Sequence, residues 1–526
     1  MRSMPNHARI LVLSLLVAGC GGTASPTTGA IDRGSVDATE PVRLVIAVGL
    51  RAPVEPGAIG APLSPSAFAD RYAATPTAYR ALVDWLVTAG LHVVRESDAR
   101  TTITVEGAAA AVERAFHVRL HRFEERGSFY RAPVEEPTFP AGEHERAPIA
   151  GIVGLSDRGA WLSHRVDVDP GPVPLGTGRT GANTASDLQK LYGVSSVSER
   201  GDGETVAILG AGNPPSMSDV GGFVSYYGLP ALANGQYSQV DLGGPDRQPD
   251  PNEYVENVLD VEMVLAMAPH ATVVHVLTAT NTPGLFSDGI AYIVDKLPQA
   301  HAVSVSYGSC ERFSTTEMPV LDVLFAQARA EGQQWFVASG DSGTDGCGDG
   351  PGNKILSVGW PASSPSAIGV GGTQQNRFGL EQAWGVNGGA GGGGASESIA
   401  KPAFQVGVGP LAGDGSRDEP DVAALAGDPG VEILVNGQVM PAGGTSAATP
   451  MWAGIWSLID QSRGGQGLPT GIESLYALGA AAQGFHDITT GNNSDGTLAG
   501  FPALRGYDLA TGWGSPNVPA LIADWK

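Results

Sequence analysis

The stretch EYVENVLDVEMVLAMAPHATVVHVL, Glu253 to Leu277, sets the fold class. Its first part predicts a helix over Asn252–Met267, with Val255, Val258, Leu259 and Leu265 on adjoining arcs. Its last part, Thr272 to Leu277, is an almost unbroken apolar run, as a strand buried on both faces requires. The alternation continues on either side. Glu204–Leu209, Ala302–Ser306 and Trp335–Ser339 read as further short strands, with helices over Gly284–Asp295 and Thr316–Ala330 between them. Residues 187–526 are therefore expected to form an α/β unit on a mainly parallel sheet with right-handed crossovers. In such sheets functional groups gather beyond the carboxyl ends of the strands.

The chain ahead of residue 187 reads differently. A strand over Val42–Leu50 precedes a helix with Tyr79, Leu82, Val83 and Leu86 on one face. Strands at Leu91–Arg95 and Thr101–Val105 follow, then a helix presenting Val112, Ala115 and Phe116, and a last strand near Val118–Phe123. The order β-α-β-β-α-β is the split, ferredoxin-like α+β pattern, expected for residues 41–163. By itself it implies no chemistry. DVDPGPVPLGTGRTGANTAS, Asp167 to Ser186, has no apolar period, so residues 164–186 are expected to be an exposed, cleavable linker.

The 526-residue chain carries 31 basic and 54 acidic residues, a formal charge of −23 at pH 7, and 42% apolar residues. That length and apolar content support more than one core. The negative charge excludes a nucleic-acid partner, because phosphate backbones are held by basic surfaces. It suits solubility, and also work at low pH, where carboxylates protonate and self-repulsion falls.

Met1–Arg9 is short and basic, and Ile10–Ala18 is apolar but too short to span a bilayer. Val17-Ala18-Gly19-Cys20 resembles a bacterial lipobox, so residues 1–20 are expected to be a signal ending at a lipid-bearing Cys20, with residues 21–40 a polar tether. The alternative is an ordinary secretory signal with a chance cysteine; either way the chain is exported. Cys310 and Cys347 remain, an even pair in an exported protein. A disulfide between them would close a loop of 347 − 310 = 37 residues and contribute about 3–4 kcal/mol on the chain-entropy model. Two buried free thiols are the alternative.

Three polar stretches stand out. Glu256 and Asp260 are four apart, so a helix stacks them on one face; the plain alternative is a solvated acidic face that Glu253 and Glu262 would join. In WFVASGDSGTDGC, Asp341 follows a strand end inside a glycine turn, where aspartate also serves ordinary turn geometry. In GGTSAATP, Gly443 to Pro450, Ser446 stands at a helix start, where it could simply be an N-cap. Gly443 and Gly444 suggest instead that backbone comes close to something. No histidine lies near Ser446 in sequence to take its proton.

Together these stretches resemble the sedolisin family of serine-carboxyl peptidases, its kumamolisin-like bacterial members in particular. LSPSAFADRY (63–72) and VDWLVTAGL (83–91) resemble the family's activation prodomain. ASGDSG (338–343), GGTSAATPMWAG (443–454), HDITTG (486–491) and GYDLATGWGSP (506–516) resemble its catalytic domain. The resemblance implies a subtilisin-like catalytic fold without subtilisin's histidine. It implies Ser446 as nucleophile, Glu256 as general base, Asp260 as the acid that orients it and Asp341 as the oxyanion-hole acid. Tyr307 stands where some relatives carry tryptophan in an extended hydrogen-bond network. It also implies one calcium ion, held by the carboxylates of Asp487 and Asp508 and the carbonyls of Ile488, Leu504 and Gly506. Relatives often have glycine at position 504. Cys310 and Cys347 follow strand ends expected to be neighbours, which supports their pairing.

The chemistry is consistent with this set. A serine needs an adjacent base. Imidazole, with an ordinary pKa of about 6.5, is mostly charged in acid, whereas a carboxylate still accepts a proton. The oxyanion-hole acid must be protonated to donate. The expectation is an exported, acid-active endopeptidase made as a proenzyme. Its own prodomain acts as inhibitor, its substrates are polypeptides, a lipid anchor ties it to a membrane unless activation frees it outside the cell, and the state is monomeric. The alternatives are a catalytically silent surface-binding lipoprotein on the same fold, or tripeptidyl-peptidase action. The glycine run Asn387–Ser398 lacks the lysine of a phosphate loop and is expected to be a flexible loop near the cleft. His270 and His275 are expected in a turn and a buried strand.

Overall fold

The computed structural model describes residues 30–525 apart from 126, 139–145, 160, 169–174, 245–246, 248, 348–354, 386–387 and 497. Cys20 and the expected signal lie outside the described residues.

The N-terminal part consists of β1 (Ile31–Ser35), β2 (Pro41–Val48), α1 (Pro65–Arg71), α2 (Pro76–Thr88), β3 (His92–Glu96), β4 (Thr102–Ala108), α3 (Ala109–Phe116), β5 (Leu120–Glu125), β6 (Ser128–Pro133) and β7 (Ile149–Val153). One sheet has the order β3-β4-β2-β7, all antiparallel. This is the ferredoxin-like order, with a correction: its last strand is β7, not the run near Val118–Phe123. The latter becomes β5, which joins β1 and β6 in a separate sheet. Residues 31–35, expected within a tether, are thus a strand, because β5 offers them backbone partners. Val42, Leu44 and Ile46 of β2 point into a core with Leu82, Val83 and Leu86, while Val45 and Ala47 point the other way.

A short strand β8 (Leu162–Ser163) and α4 (Ala185–Leu191) lead into the second part. There β9 (Thr205–Ala211), α5 (Met217–Tyr226), β10 (Tyr237–Asp241), α6 (Pro251–Met267), β11 (Thr272–Thr278), α7 (Pro283–Lys296), β12 (Ala300–Val305), β13 (Tyr307–Cys310), α8 (Met318–Ala330), β14 (Gln334–Ala338), β15 (Gly359–Trp360), β16 (Ile368–Gln375) and β17 (Glu381–Ala383) follow in turn. The sheet order is β10-β11-β9-β12-β14-β16-β17, with Val422–Leu425 also pairing with β16; every pair is parallel except β16 with β17. Alternate residues of β9 feed two cores. Val206 and Ile208 pack with α6 and with α9 (Thr445–Ser462), and Ala207 and Leu209 with α7 and α8.

The β3-β4-β2-β7 sheet lies over α7 and α8. Val45, Ala47 and Val153 share their core, and polar contacts surround it. Arg43 and Arg95 both pair with buried Asp288, and Thr104 Oγ1 donates to the same carboxylate at 2.8 Å. Ser97 Oγ donates to Asp295 at 2.9 Å, and Thr101 Oγ1 to Gln327 at 2.6 Å.

Candidate active site

Two strand ends and one helix start meet at the carboxyl edge of the sheet. Ser306 directly follows β12, Asp341 lies three residues beyond β14, and α9 begins at Thr445. Helix α6 starts where Asp250 caps the Asn252 N–H at 2.8 Å, with Pro251 in its first turn. Its registry presents Glu256 and Asp260 inward, both fully buried, as is Glu262. The alternative of a solvated acidic face is thereby excluded: of the four acids only Glu253 is partly exposed, and it accepts from Tyr307 Oη and from Asn281 Nδ2 at 3.1 Å.

Ser446 is the second residue of α9. It is no cap: Gly444 holds that position at φ +96°, and no side chain caps the helix. A Cβ at residue 444 would overlap the His164 carbonyl oxygen and lie 2.6 Å from Asp341 Oδ2, so the backbone can pass there only as glycine. Ser446 Oγ donates to the Ser306 carbonyl at 3.2 Å and also interacts with the Glu256 carboxyl. Ser306 Oγ in turn donates to Asp260 Oδ1 at 2.5 Å. Asp341 Oδ1 accepts from both the N–H and the hydroxyl of Thr445, each at 2.8 Å, leaving a buried Oδ2 without a partner among the described residues. All four candidate residues are thus brought together. Sequence reasoning missed Ser306 and Thr445, which hold Asp260 and Asp341 respectively; each adjoins or lies within a motif already singled out, and only the contact reveals its task.

Burial, then the neighbouring Asp260, pushes Glu256 well above the ordinary carboxyl range; the Ser446 hydroxyl and the Arg165 guanidinium pull it back. Burial likewise raises Asp260, opposed by the Ser306 hydroxyl. Among the described residues no donor, the Ser446 hydroxyl included, comes within full hydrogen-bond distance of Glu256 Oε1, Oε2 or Asp260 Oδ2; a proton shared between the two carboxyls would satisfy one oxygen of each. Asp341 is pushed up to about 7 by burial.

A strap, residues 161–168, runs through this site. Leu162 and Ser163 pair antiparallel with Gly308 and Tyr307. The His164 N–H donates to the Ser306 carbonyl at 3.0 Å, and the His164 carbonyl accepts from the Ser446 N–H at 2.9 Å. Val166 then exchanges two backbone bonds with Gly443, at 3.0 and 3.2 Å. This corrects the exposed linker: its first residues are held in the cleft, and farther on Thr180 N and Oγ1 both donate to Glu432, at 2.7 and 2.9 Å. The glycine run is corrected too. Ala390 to Gly393 are buried, with the Gly392 N–H on the Gly340 carbonyl at 2.7 Å and Ala390 N–H on that of Asp341 at 2.9 Å. Glycine is required at 392, where a Cβ would lie 2.0 Å from the Ser339 carbonyl oxygen, and at 393, where it would lie 2.1 Å from that of Leu509. His270 contacts Asp202 at 2.8 Å, and His275 is fully buried in β11.

Residues 28–158 match the family model described as Pro-kumamolisin, activation domain, and residues 249–481 that of the subtilase family. Kumamolisin of Bacillus sp. (strain MN-32) is 31% identical over 526 aligned residues, covering 93% of this chain and 92% of its own length. The chain belongs to the sedolisin family. Sedolisin of Pseudomonas sp. (strain 101) is 29% identical, covering 87% of this chain and 80% of its own. The structure of Pseudomonas sedolisin (serine-carboxyl proteinase) complexed with two molecules of pseudo-iodotyrostatin matches with a TM-score of 0.58 at 28% identity, over 65% of this chain and 97% of that one. As a member of this family the protein is a serine-type peptidase with a subtilisin-like catalytic fold and an N-terminal activation domain.

Cys310 and Cys347 are joined as a disulfide, their Cα atoms 4.7 Å apart. The five residues expected at a calcium ion also come together. Asp508 accepts the Leu504 N–H at 2.7 Å, and Asp487 the Gly506 N–H at 3.1 Å. The carbonyls of Ile488, Leu504 and Gly506 accept no hydrogen bond from other described residues. Leu504 is not among the residues of positive φ, so leucine fits at this position. Two carboxylates and three free carbonyls make an all-oxygen donor set that suits a hard divalent cation.

The buried acids give the fold a pH dependence. Asp341 and Glu317 are raised to about 7 and Glu331 to about 8, in each case chiefly by burial. Each binds its proton more tightly folded than unfolded. Their contribution to stability is therefore complete below about pH 4 and is lost as pH rises through 7 to 8. A Ser446→Ala chain, which cannot digest itself, is expected to melt several degrees lower at about pH 8 than at about pH 4.5. An equal or higher melting temperature at the alkaline end contradicts this.

Proposed function

We propose that the protein is an exported, acid-active serine-carboxyl endopeptidase made as a proenzyme that frees itself from its prodomain. Ser446 attacks the substrate carbonyl, Glu256 takes its proton, Asp260 orients and shares charge with Glu256, and the Ser446 N–H and a protonated Asp341 bind the developing oxyanion. The path of residues 161–168 carries this reading. They lie as an added strand with the His164 carbonyl on the Ser446 N–H, the arrangement a bound substrate requires. The first bond cut is then His164–Arg165, ahead of the Asp167–Ser186 stretch expected from sequence. Acidification of the purified chain and sequencing of the released enzyme should give Arg165 as the first new N-terminus. A first cut within residues 169–186 contradicts the proposal.

Endopeptidase action is supported by the strap as well. Residues 161 to 164 all lie on the acyl side, with Trp161 buried and its Nε1 donating to Glu317 at 3.0 Å. A tripeptidyl-peptidase requires the chain to end after three residues. Activity against a denatured polypeptide is expected to fall as pH rises through about 7, because ionised Asp341 cannot donate. A rate flat to about pH 8 would falsify that assignment.

One calcium ion between Asp487 and Asp508 would hold the two C-terminal loops together. Asp508→Ala, or chelation, is expected to lower the melting temperature by about 2–4 °C or more; no change would remove the ion from the account. The remaining parts of the proposal are a lipid anchor at Cys20, the Cys310–Cys347 bridge in an oxidising compartment, and a monomer without nucleic-acid partners.

A further inference from the structure

At the far end of α9 from Ser446, three side chains from separate elements converge. Glu204 directly precedes β9, His301 is the second residue of β12, and Asp460 lies in the last turn of α9. One ligand atom from each lies within 4.8 Å of the others. Glu204 and Asp460 are 5% and 2% exposed, and His301 is partly exposed.

The group is short of positive charge. His301 Nδ1 lies 2.7 Å from Asp460 Oδ2, and the Gly467 N–H reaches both Asp460 oxygens at 3.1 Å. The Glu204 carboxyl meets the Asp460 carboxyl within hydrogen-bonding reach, a contact that only a shared proton or a cation makes favourable, and no described lysine or arginine pairs with either acid. Arg200, the nearest basic residue in sequence to Glu204, is spent on the carbonyls of Val197 and Glu199, at 2.7 Å each. The carboxyl end of α9 adds its own partial negative charge at the same point. Two buried acids and a helix terminus therefore face one imidazole.

The loop after α9 is shaped around the group. Gly465 and Gly467 have φ of +67° and +72°. A Cβ on Gly465 would lie 2.6 Å from Glu204 Oε1, and one on Gly467 3.0 Å from His301 Cδ2. Side chains are thus excluded where the loop crosses the cluster.

The geometry points to a divalent transition-metal site, of the zinc class, formed by Glu204, His301 and Asp460. One imidazole with two carboxylates selects such an ion over calcium or magnesium, which take oxygen alone. Three protein ligands leave a fourth position for water, which the partial exposure of His301 admits. The ion ties the starts of β9 and β12 to the end of α9. It lies far from the nucleophile: 14 residues of helix separate positions 446 and 460, about 21 Å. Its role is structural, and the inference does not depend on the proposed catalysis.

The test uses the full chain carrying Ser446→Ala, stripped with chelator and returned to calcium-saturated buffer at about pH 7.5, where protons compete less for the ligands. Zinc titration followed by calorimetry should give one tight equivalent, and zinc should raise the melting temperature by about 2–4 °C. Adding Glu204→Gln, a near-isosteric change, should abolish that equivalent and the shift. His301→Gln serves if the first variant does not fold. Cobalt(II) in place of zinc should give a visible ligand-field band in the parent and none in either variant. Equal zinc uptake by parent and a folded variant, no uptake by the parent, or a cobalt spectrum unchanged by His301→Gln would each overturn the assignment.

Discussion

Ser446→Ala should leave a folded proenzyme that keeps its prodomain at about pH 4 and cleaves denatured polypeptide on the order of 10⁶-fold more slowly. Alanine removes only the oxygen, and the helix start, Gly444 and the oxyanion N–H all stay in place. Glu256→Gln should come close to the same loss. Glutamine keeps the shape of the side chain but cannot take a proton, and no histidine shares the site as a substitute; His164, on the strap, leaves once the chain is cut. Residues that act as one unit lose most of their effect when any member goes, so the double variant should be little slower than either single one. Peptide release and the new N-terminus, followed by mass spectrometry, measure both. Equal product from Ser446→Ala and the parent chain would remove the hydroxyl from the mechanism.

The second large effect belongs to Asp341. Asp341→Ala should lower kcat by about 10²–10³, the loss typical of one missing oxyanion donor. Asp341→Asn separates donor from acid. Its carbonyl can still accept from Thr445, as Oδ1 does now, while its amide donates from the place of Oδ2 at every pH. The asparagine variant should therefore retain much of the activity and lose the decline near pH 7 that burial of Asp341 imposes. An alanine variant within threefold of the parent, or an asparagine variant with an unmoved alkaline limb, would count against the assignment.

Much of this arrangement was legible in sequence because it rests on local rules. The four-residue interval between Glu256 and Asp260 survives in any helix, and a parallel sheet collects the ends of β12 and β14 with the start of α9 on one edge. What was illegible depends on partners distant along the chain. Whether Val118–Phe123 closes the ferredoxin-like sheet or starts another turns on β1 and β7, whose claims on it the run itself does not carry. The acidic face of α6 reads as solvated until α9 covers it. The Pro- and Gly-rich segment after residue 163 reads as exposed until the backbones of Ser306, Gly443 and Ser446 pair with its beginning. The glycines near residue 390 read as loose, since a sequence does not say that another backbone lies against them.

One consequence follows from the way residues 161–168 are threaded. The peptide presented to Ser446 and the serine itself belong to one molecule, so no encounter precedes the initial turnover. The half-time for maturation should stay constant on hundredfold dilution, and a stoichiometric active-site inhibitor should have to outrun a tethered competitor. Once that bond is broken the advantage disappears, and every later event is a second-order collision.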